Sequence, residues 1–400
     1  MNRDSELALV TAKKKQIIVG LLDQLCQQLE ITEPQYLLAT SRYKAVSSWL
    51  ADSNITYLNQ AEIYPQGSIA LATAIKPIGR IEFDVDLVCH LPTLSDTSDA
   101  RAVKALIGAR LKENSTYAGM LEEKRRCWRL NYANEFHLDI TPSIPNVHCT
   151  QGGELVPDKA LSRWKPTNPK GYIGKFEQYA AITPRLYLSK MGFTEARADI
   201  APLPGKTMSK PPLKRITQLL KRHRDQMFVG STRAELAPIS IVITTLVGWA
   251  YARCATLEVH TDAFDFITAV IRDMPLHIKT ETTPEGRVFT IENETTVGEN
   301  FADKWNSDAR LAEAFFEWHR KALTSIESLL SIEGVDRFAE SLSSSFGATQ
   351  EQVRVTLDSV SNPFNQARSA GSLAVAPVLG LVSAHALGAV TVRPNTFFGR

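Results

Sequence analysis

Apolar residues recur at helical spacing near the start of the chain. Ile18, Leu22, Leu25 and Leu29 lie three or four positions apart, with Lys, Gln and Asp side chains between them. This pattern predicts an amphipathic helix that ends near Ile31.

A second helix is predicted directly after the first. Thr32, Glu33, Pro34 and Gln35 match a capping box with proline in the first turn, and such a box starts a helix. We expect this helix to run to about Leu50, and we expect both helices to form a scaffold that packs on a β-sheet.

Strict alternation of apolar and acidic residues marks the segment EFDVDLV, residues 82–88. Successive side chains on a strand point to opposite faces. Asp84 and Asp86 are therefore expected to share one face, while Phe83, Val85 and Leu87 pack on the other.

The next part of the chain is predicted to contain a helix and a hairpin. Residues 96–112 have moderate helical periodicity, and residues 127–132 and 136–140 alternate like strands joined by a turn at 133–135. Pro142 is expected to end the second of these strands.

The second half of the chain is predicted to be mainly helical. Helical periodicity covers residues 213–228 and 311–329, and residues 238–252 are almost wholly apolar, which indicates a buried helix. The Gly- and Pro-containing stretches 151–172 and 192–212 are predicted to be irregular.

One long uncharged run, residues 371–392, has to be weighed as a membrane span. Pro377, His385 and several Gly and Ser residues interrupt it, so we expect a packed or loop-rich tail segment and no membrane. Residues 391–400 are expected to be mobile.

Length and charge narrow the class of protein. A chain of 400 residues exceeds a single typical domain and favours two lobes. The formal charge of +2 and the pI of about 8.2 are too balanced for a protein that coats nucleic acid, so no long polynucleotide partner is expected.

Cysteine usage and the N-terminus favour the cytoplasm. The N-terminal residues are polar and charged, without the pattern of a secretory signal. The cysteines are odd in number and lack C-x-x-C spacing, which argues against a disulfide framework or a zinc site. They are Cys26, Cys89, Cys127, Cys149 and Cys254.

The two aspartates of the alternating strand point to a metal. Carboxylates side by side repel each other unless a cation lies between them, and oxygen ligands favour Mg²⁺ or Mn²⁺. Upstream, Gly67 and Ser68 follow a strand-like run and form a turn that can offer backbone N–H groups and a hydroxyl to a phosphate. Together these parts can orient a nucleoside triphosphate.

This combination resembles the signature of the DNA polymerase β-like nucleotidyltransferases, in which a Gly-Ser turn precedes a strand with two aspartates. The segments QGS, TAI and EFDVDLV resemble the corresponding segments of the bacterial cGAS/DncV-like nucleotidyltransferases. Weaker likenesses occur in SRWKPTNPKGY, LLKRHRD and ENFADKW.

The resemblance implies roles for further residues. Asp139, in FHLDITP, would join Asp84 and Asp86 as the third ligand of two Mg²⁺ ions. Lys221, in LLKRHRD, would reach the triphosphate beside Gly67 and Ser68, and Ser240 would contact the nucleotide. The neighbouring residues Arg215, Arg222 and Arg224 are expected on a solvated helix face.

The fold class that we expect is α+β and two-lobed, with a mixed-sheet catalytic lobe packed on a helical C-terminal lobe. The predicted boundaries are N-terminal helices at 1–60 that pack on the catalytic lobe, the catalytic lobe at 61–205, the helical lobe at 206–390 and the tail at 391–400.

The function implied by the resemblance is the synthesis of a cyclic di- or trinucleotide messenger from ATP and/or GTP in anti-phage defence. The implied partners are a downstream effector that senses the product and, in some members, an enzyme that conjugates the C-terminus. The alternatives are a linear-product or polynucleotide-extending transferase, a silent nucleotide-binding scaffold and, on D-x-D alone, a metal-dependent phosphohydrolase.

Overall fold

The structure is a computed structural model, and the described residues are 3–79, 82–133, 135–158, 163–187, 210–284, 286–351 and 353. Beyond them it describes the backbone of three short strands between residues 373 and 391. The stretch 192–212, predicted to be irregular, lies mostly outside the described residues.

The first half of the described chain alternates short helices with strands. Its elements are α1 (Arg3–Leu29), α2 (Glu33–Ala51), α3 (Thr56–Asn59), β1 (Glu62–Gln66), α4 (Gly67–Ala70), β2 (Phe83–His90), α5 (Ala100–Lys112), α6 (Ser115–Ala118), β3 (Leu121–Glu123), β4 (Trp128–Tyr132), β5 (Phe136–Pro145), β6 (Glu154–Asp158), β7 (Arg163–Thr167), α7 (Pro169–Ala180) and β8 (Arg185–Leu186).

The second half is mainly helical. Its elements are α8 (Pro212–Phe228), α9 (Ser240–Leu257), β9 (Val259–His260), α10 (Ala263–Asp273), β10 (Lys279–Thr283), β11 (Gly286–Thr290), α11 (Ala309–Ser328), α12 (Val335–Phe346), β12 (Leu373–Ala376), β13 (Gly380–Ser383) and β14 (Val390–Thr391).

The predicted start of α2 is confirmed in detail. The Thr32 side chain accepts a hydrogen bond from the Gln35 backbone N–H, and the Gln35 side chain accepts one from the Thr32 N–H. This reciprocal pair satisfies two backbone donors that have no partner within the helix. The N-terminus of α2 is thus fixed by four consecutive residues.

A mixed sheet lies at the centre of the first half. Its strands run in the order β1-β2-β5-β4-β3; β2 and β5 are parallel, and the other neighbours along this path are antiparallel. The predicted alternation on β2 is confirmed, because Phe83, Val85 and Leu87 are buried while Asp84 is exposed. The predicted hairpin is β4 and β5.

The prediction that Pro142 ends its strand is wrong. β5 continues to Pro145, and Pro142 pairs with Cys89 of β2. Proline is tolerated here because β4 pairs with β5 only as far as Ile140, so one edge of β5 has no β4 neighbour at Pro142.

The prediction of a long loop over residues 151–172 is also wrong. β6 and β7 form a hairpin that extends the sheet from the end of β5, and α7 begins at Pro169. Both strands contain proline, which sequence patterns associate with loops. β7 is an edge strand, and Pro157 of β6 lies beyond the residues that pair with β5, so both positions accept proline. Asn168 caps α7 by accepting a hydrogen bond from the Gly171 N–H.

Buried apolar side chains form two clusters. One joins α2 and α5 to the central sheet and includes Val46, Leu50, Ile107 and Leu138. The other joins α1 to α7 and to α8 through α12. The expectation that both N-terminal helices pack on the sheet therefore holds for α2 and is wrong for α1, which packs among the later helices. The predicted domain boundaries remain predictions.

The apolar helix predicted at 238–252 is α9. It is long and apolar enough to cross a membrane by composition alone, yet most of it is buried inside the protein. Its residues Val242, Ile243, Leu246 and Val247 are fully buried. A core helix accounts for its composition. The helix predicted at 311–329 is confirmed as α11.

In the uncharged run 371–392, the described backbone forms strands. β12 pairs with both β13 and β14 in a small antiparallel sheet. The prediction of a loop-rich tail is therefore wrong for these residues. Residues 392–400, for which we predict mobility, lie outside the described part of the chain.

Candidate active site

The three predicted aspartates lie on neighbouring strands of the central sheet. Asp86 of β2 is in register with Asp139 of β5, and Asp84 is in register with His137 two residues earlier. Residues in register on neighbouring strands project from the same face. The structure therefore brings Asp84, Asp86 and Asp139 to one face of the sheet.

The Gly-Ser turn lies against the second aspartate. Gln66, the last residue of β1, is in register with Asp86, so Gly67 and Ser68 start α4 directly beside that carboxylate. Gly67 has a φ of +63°, a conformation that glycine adopts readily. The N–H groups at the start of α4 have no partner within the helix, so this turn can bind an anion.

An arginine that the sequence analysis did not single out lies between two of the carboxylates. The Arg129 Nε donates to Oδ1 of Asp139 at 2.7 Å, and its terminal nitrogen donates to Oδ2 at 2.7 Å. The same terminal nitrogen lies 3.1 Å from Oδ1 of Asp84. This two-pronged contact is the strongest geometry available to an arginine and a carboxylate.

His137 orients the outermost carboxylate. Its Nε2 lies 2.6 Å from Oε2 of Glu82, and its Nδ1 lies 3.2 Å from Oδ1 of Asp84. Asp84 is about half exposed, whereas the Asp139 side chain is only 13 % exposed. The imidazole therefore restrains an otherwise mobile carboxylate.

The surroundings of Asp86 disfavour the ionised form of its carboxyl. Burial, together with the charges of Asp139 and Asp84, raises the pKa of its carboxyl to about 7, against the opposing effects of Arg129 and Lys221. Loss of hydration and like charges both disfavour the ionised form. Asp86 is the position where an added cation would be most stabilising.

Lys221 reaches the site from α8. It is buried, and its Nζ donates to the Thr73 hydroxyl at 3.0 Å. The Thr73 N–H in turn donates to the Ser68 carbonyl at 2.9 Å, which ties Lys221 to the Gly-Ser turn. Burial lowers the pKa of Lys221 to about 8, with the Arg224 charge acting in the same direction.

The prediction of a solvated face for the α8 arginines is wrong. Arg222 is buried and donates to the Lys76 carbonyl, and Arg215 pairs with Asp23 and Glu30. Because Gln218 also donates to the Ala74 carbonyl, polar side chains of α8 hold the chain that follows the Gly-Ser turn. α8 thus positions one wall of the site.

Ser240 is less central than the other predicted site residues. It is the first residue of α9, and its hydroxyl accepts a hydrogen bond from Arg224 at 3.1 Å. Arg224 also donates to the Pro238 carbonyl. Among the described residues, Ser240 thus contacts α8 and none of the three aspartates.

The donor set suits a hard divalent cation. Three carboxylates on one face supply only oxygen ligands, which Mg²⁺ and Mn²⁺ prefer. As the side chains of the described residues stand, no three of the metal-binding type converge on one point. Both oxygens of Asp139 instead accept hydrogen bonds from Arg129.

Comparison with known proteins agrees with this geometry. The profile of the Second Messenger Oligonucleotide or Dinucleotide Synthetase domain matches residues 18–179. The c-di-GMP synthase of Roseivirga ehrenbergii is 29 % identical over 392 residues, which cover 98 % of this chain and 100 % of that protein. These matches support a cGAS/DncV-like nucleotidyltransferase.

Other relatives support the same assignment. The cyclic dinucleotide synthase CdnG of Bradyrhizobium diazoefficiens is 24 % identical over 325 residues, which cover 76 % of this chain and 74 % of that protein. The structure of CdnG in complex with GTP superimposes with a TM-score of 0.62 at 22 % identity and covers 87 % of this chain and 99 % of that chain. The predicted α+β nucleotidyltransferase fold is confirmed.

The site contains residues that the sequence patterns above did not single out. Arg129 could have been found, because the predicted hairpin, closed at residues 132 and 136, places position 129 opposite Asp139. His137 precedes Asp139 by two residues on the same strand and so shares its face. No sequence pattern indicates a role for Thr73, since that role depends on its contact with α8.

Proposed function

We propose that this nucleotidyltransferase joins ATP and/or GTP into a cyclic dinucleotide and releases pyrophosphate at each step, with GTP as the preferred substrate. The preference for GTP rests on the names of the relatives, a c-di-GMP synthase aligned over nearly the whole chain and a CdnG solved with GTP. A cyclic trinucleotide is the alternative product that the sequence leaves open.

The observation that carries the proposal is the alignment of Asp86 with Asp139, with Asp84 on the same face and Gly67 against Asp86. It supports the proposal because three carboxylates suited to a divalent cation lie beside a turn suited to a triphosphate. A hydrolase that relied on D-x-D alone would not need this turn. The proposed site residues are Asp84, Asp86 and Asp139 for metal, and Gly67, Ser68, Lys221 and Ser240 for the nucleotide.

The residues of the chain divide the work of nucleotidyl transfer. Mg²⁺ or Mn²⁺ at the three aspartates would lower the pKa of the attacking ribose hydroxyl and stabilise the departing pyrophosphate. The N–H groups of Gly67 and Ser68 bind the triphosphate, and the Lys221 ammonium offsets part of its charge. α8 keeps Lys221 aimed at the turn through Thr73.

The chemical step exchanges one phosphorus–oxygen bond for another. A ribose hydroxyl oxygen of one nucleotide bonds to the α-phosphorus of the second, the bond to pyrophosphate breaks, and the hydroxyl loses its proton. A second transfer within the linear intermediate closes the ring. Correct positioning contributes most to such a reaction, since little covalent chemistry is left to the protein.

The cellular context follows from the same proposal. A cyclic dinucleotide is a signal, so its consumer is an effector that binds it, and the setting that we propose is anti-phage defence in the cytoplasm. An enzyme that conjugates the C-terminus is a further proposed partner. We propose neither a long nucleic acid nor a membrane as a partner.

Incubation with GTP alone, ATP alone or both, followed by chromatography of the products and assay of pyrophosphate, tests the function. We expect a cyclic dinucleotide, formed most rapidly when GTP is present. Nucleoside diphosphates with free phosphate would indicate a hydrolase instead, and unchanged triphosphates in every mixture would indicate a scaffold.

A further inference from the structure

Arg129 bridges two of the three carboxylates of the cluster. Its Nε and terminal nitrogen contact the two oxygens of Asp139, each at 2.7 Å, and the terminal nitrogen also approaches Asp84 at 3.1 Å. The remaining nitrogen lies 3.3 Å from Nδ1 of His137. The guanidinium thus contacts two of the three carboxylates.

The pairing of β4 with β5 fixes the contact between Arg129 and Asp139. Arg129 of β4 is in register with Asp139 of the antiparallel strand β5, so both side chains leave the sheet on the same face. The Arg129 side chain is only 20 % exposed, which limits competition from water. The pairing therefore does not depend on a flexible loop.

The charges of the cluster show why a cation is needed there. Glu82, Asp84, Asp86 and Asp139 are acidic, and Asp86 senses the charges of Asp84 and Asp139 directly. Lys221 donates to Thr73, whereas Arg129 is hydrogen-bonded to Asp139 and Asp84. An oxygen whose lone pairs accept N–H groups is less available as a metal ligand, and a guanidinium repels an incoming divalent ion.

We propose that Arg129 is a resident counter-ion that competes with the divalent cation for Asp139 and Asp84. The inference rests on the proposed metal site at the three aspartates. In this view the metal-free protein keeps its carboxylates together through Arg129, and a divalent ion binds weakly until the guanidinium leaves Asp139. Arg129 thereby sets the metal affinity of the nucleotide-free protein.

Binding of Mn²⁺ to the full chain without nucleotide tests the proposal, measured by calorimetry and by the electron paramagnetic resonance signal of free Mn²⁺. Arg129→Gln removes the charge and should tighten Mn²⁺ binding by about fivefold or more. It should also lower the melting temperature in EDTA, and Mn²⁺ should restore more stability than in the parent.

Arg125→Gln is the matched control. Arg125 lies on the turn that leads into β4 and pairs with Asp158, away from the three aspartates. Its Mn²⁺ affinity should equal that of the parent. Arg129→Lys keeps the positive charge but cannot contact both oxygens of Asp139 through two nitrogens. Its Mn²⁺ affinity should lie between those of the parent and Arg129→Gln, and it remains a usable variant if Arg129→Gln fails to fold.

Two further outcomes separate this inference from the proposed function. If Asp139→Asn abolishes Mn²⁺ binding while Arg129→Gln leaves its affinity unchanged or weaker, Arg129 is only a structural partner and the inference is overturned, although the metal site stands. If the parent and all variants bind no Mn²⁺ at millimolar concentration, the metal site itself is refuted and the inference with it.

Discussion

Gly67 packs directly against the carboxylate of Asp86. A Cβ at position 67 would lie 3.1 Å from Cγ of Asp86 and closer still to its Oδ2. The backbone at Gly67 also has a φ of +63°, which disfavours any side chain. The turn and the second aspartate are therefore fitted to each other, and a change in one displaces the other.

Gly67→Ala should reduce activity by more than backbone strain alone would. The left-handed conformation costs about 1 kcal/mol of unfolding free energy for alanine, and the added methyl group also displaces Asp86. We expect pyrophosphate release to fall by roughly a hundredfold or more. Gly230→Ala is the matched control, because Gly230 has a φ of +65° and open space around it. Equal activity in the two variants would contradict the role assigned to the turn.

Sequence patterns predicted those features of the fold that depend only on residues close together in the chain. The capping box at Thr32 and Gln35 fixes the start of α2 within four residues, and alternation places Asp84 and Asp86 on one face whatever the strand pairs with. The strands β6 and β7 were missed because their stability comes from pairing with β5 and with each other. Their prolines suggested a loop.

The site was predictable where residues share a strand or a hairpin. Arg129 opposite Asp139 follows from hairpin register, whereas repulsion between the acids by itself indicates only that a cation lies between them. The burial of Arg222 could not be read from α8, whose composition suits a solvated helix. Only packing against residues 72–76 reveals that the face is covered.

Asp84→Asn combined with Asp86→Asn should give a folded protein without transferase activity. Neutral amides are poor ligands for a hard divalent cation, and removal of two like charges, one of them mostly buried, should not lower stability. Pyrophosphate release from GTP and the melting temperature in EDTA check the two halves of this prediction. Asp96→Asn, in an exposed loop, serves as the control. Release at the parental rate in the double variant would refute the metal-site assignment.

Lys221→Met should weaken substrate binding and turnover while preserving the fold. The ammonium is buried beside Thr73, so its replacement removes a charge meant for the triphosphate and relieves an unfavourable burial. We expect kcat/KM for GTP to fall about tenfold or more. Lys214→Met is the matched control, because Lys214 lies on the same helix as Lys221 but pairs with Glu177 of α7. Parity between the two lysine variants would remove Lys221 from the site.

Acid should destabilise the protein through His223. This residue of α8 is buried, and burial lowers the pKa of its imidazole to about 4, with the Lys321 charge acting in the same direction. The folded protein therefore keeps His223 neutral, whereas the unfolded chain binds a proton below about pH 6.5.

Stability should consequently fall as the pH drops from about 6.5 towards 4, on the order of 2 kcal/mol from this group. His223→Gln should flatten the dependence, as measured by urea unfolding at pH 7 and pH 5. His148→Gln, at an exposed histidine, should keep the parental slope. An undiminished slope in His223→Gln would show that other groups dominate the acid response.

The product distinguishes a maker of small cyclic signals from an enzyme that extends a polymer. Proteins that track a long strand neutralise successive phosphates with basic residues, but this chain has a formal charge of only +2. The basic run before β4 is largely compensated, because Lys124 pairs with Glu122 while Arg125 and Arg126 pair with Asp158. We therefore expect weak binding to long single strands at physiological salt.

With GTP and Mg²⁺ and no primer, the enzyme should accumulate a short product that resists phosphatase, since a closed ring has no terminal phosphate. Chromatography before and after phosphatase treatment measures this. The Asp84→Asn, Asp86→Asn double variant is the control for chemistry at the proposed site. A phosphatase-sensitive ladder, or strict dependence on an added oligonucleotide, would replace the cyclic product with a linear one. The roles of Asp84, Asp86 and Asp139 would be unaffected, because both reactions place the same demands on the three carboxylates.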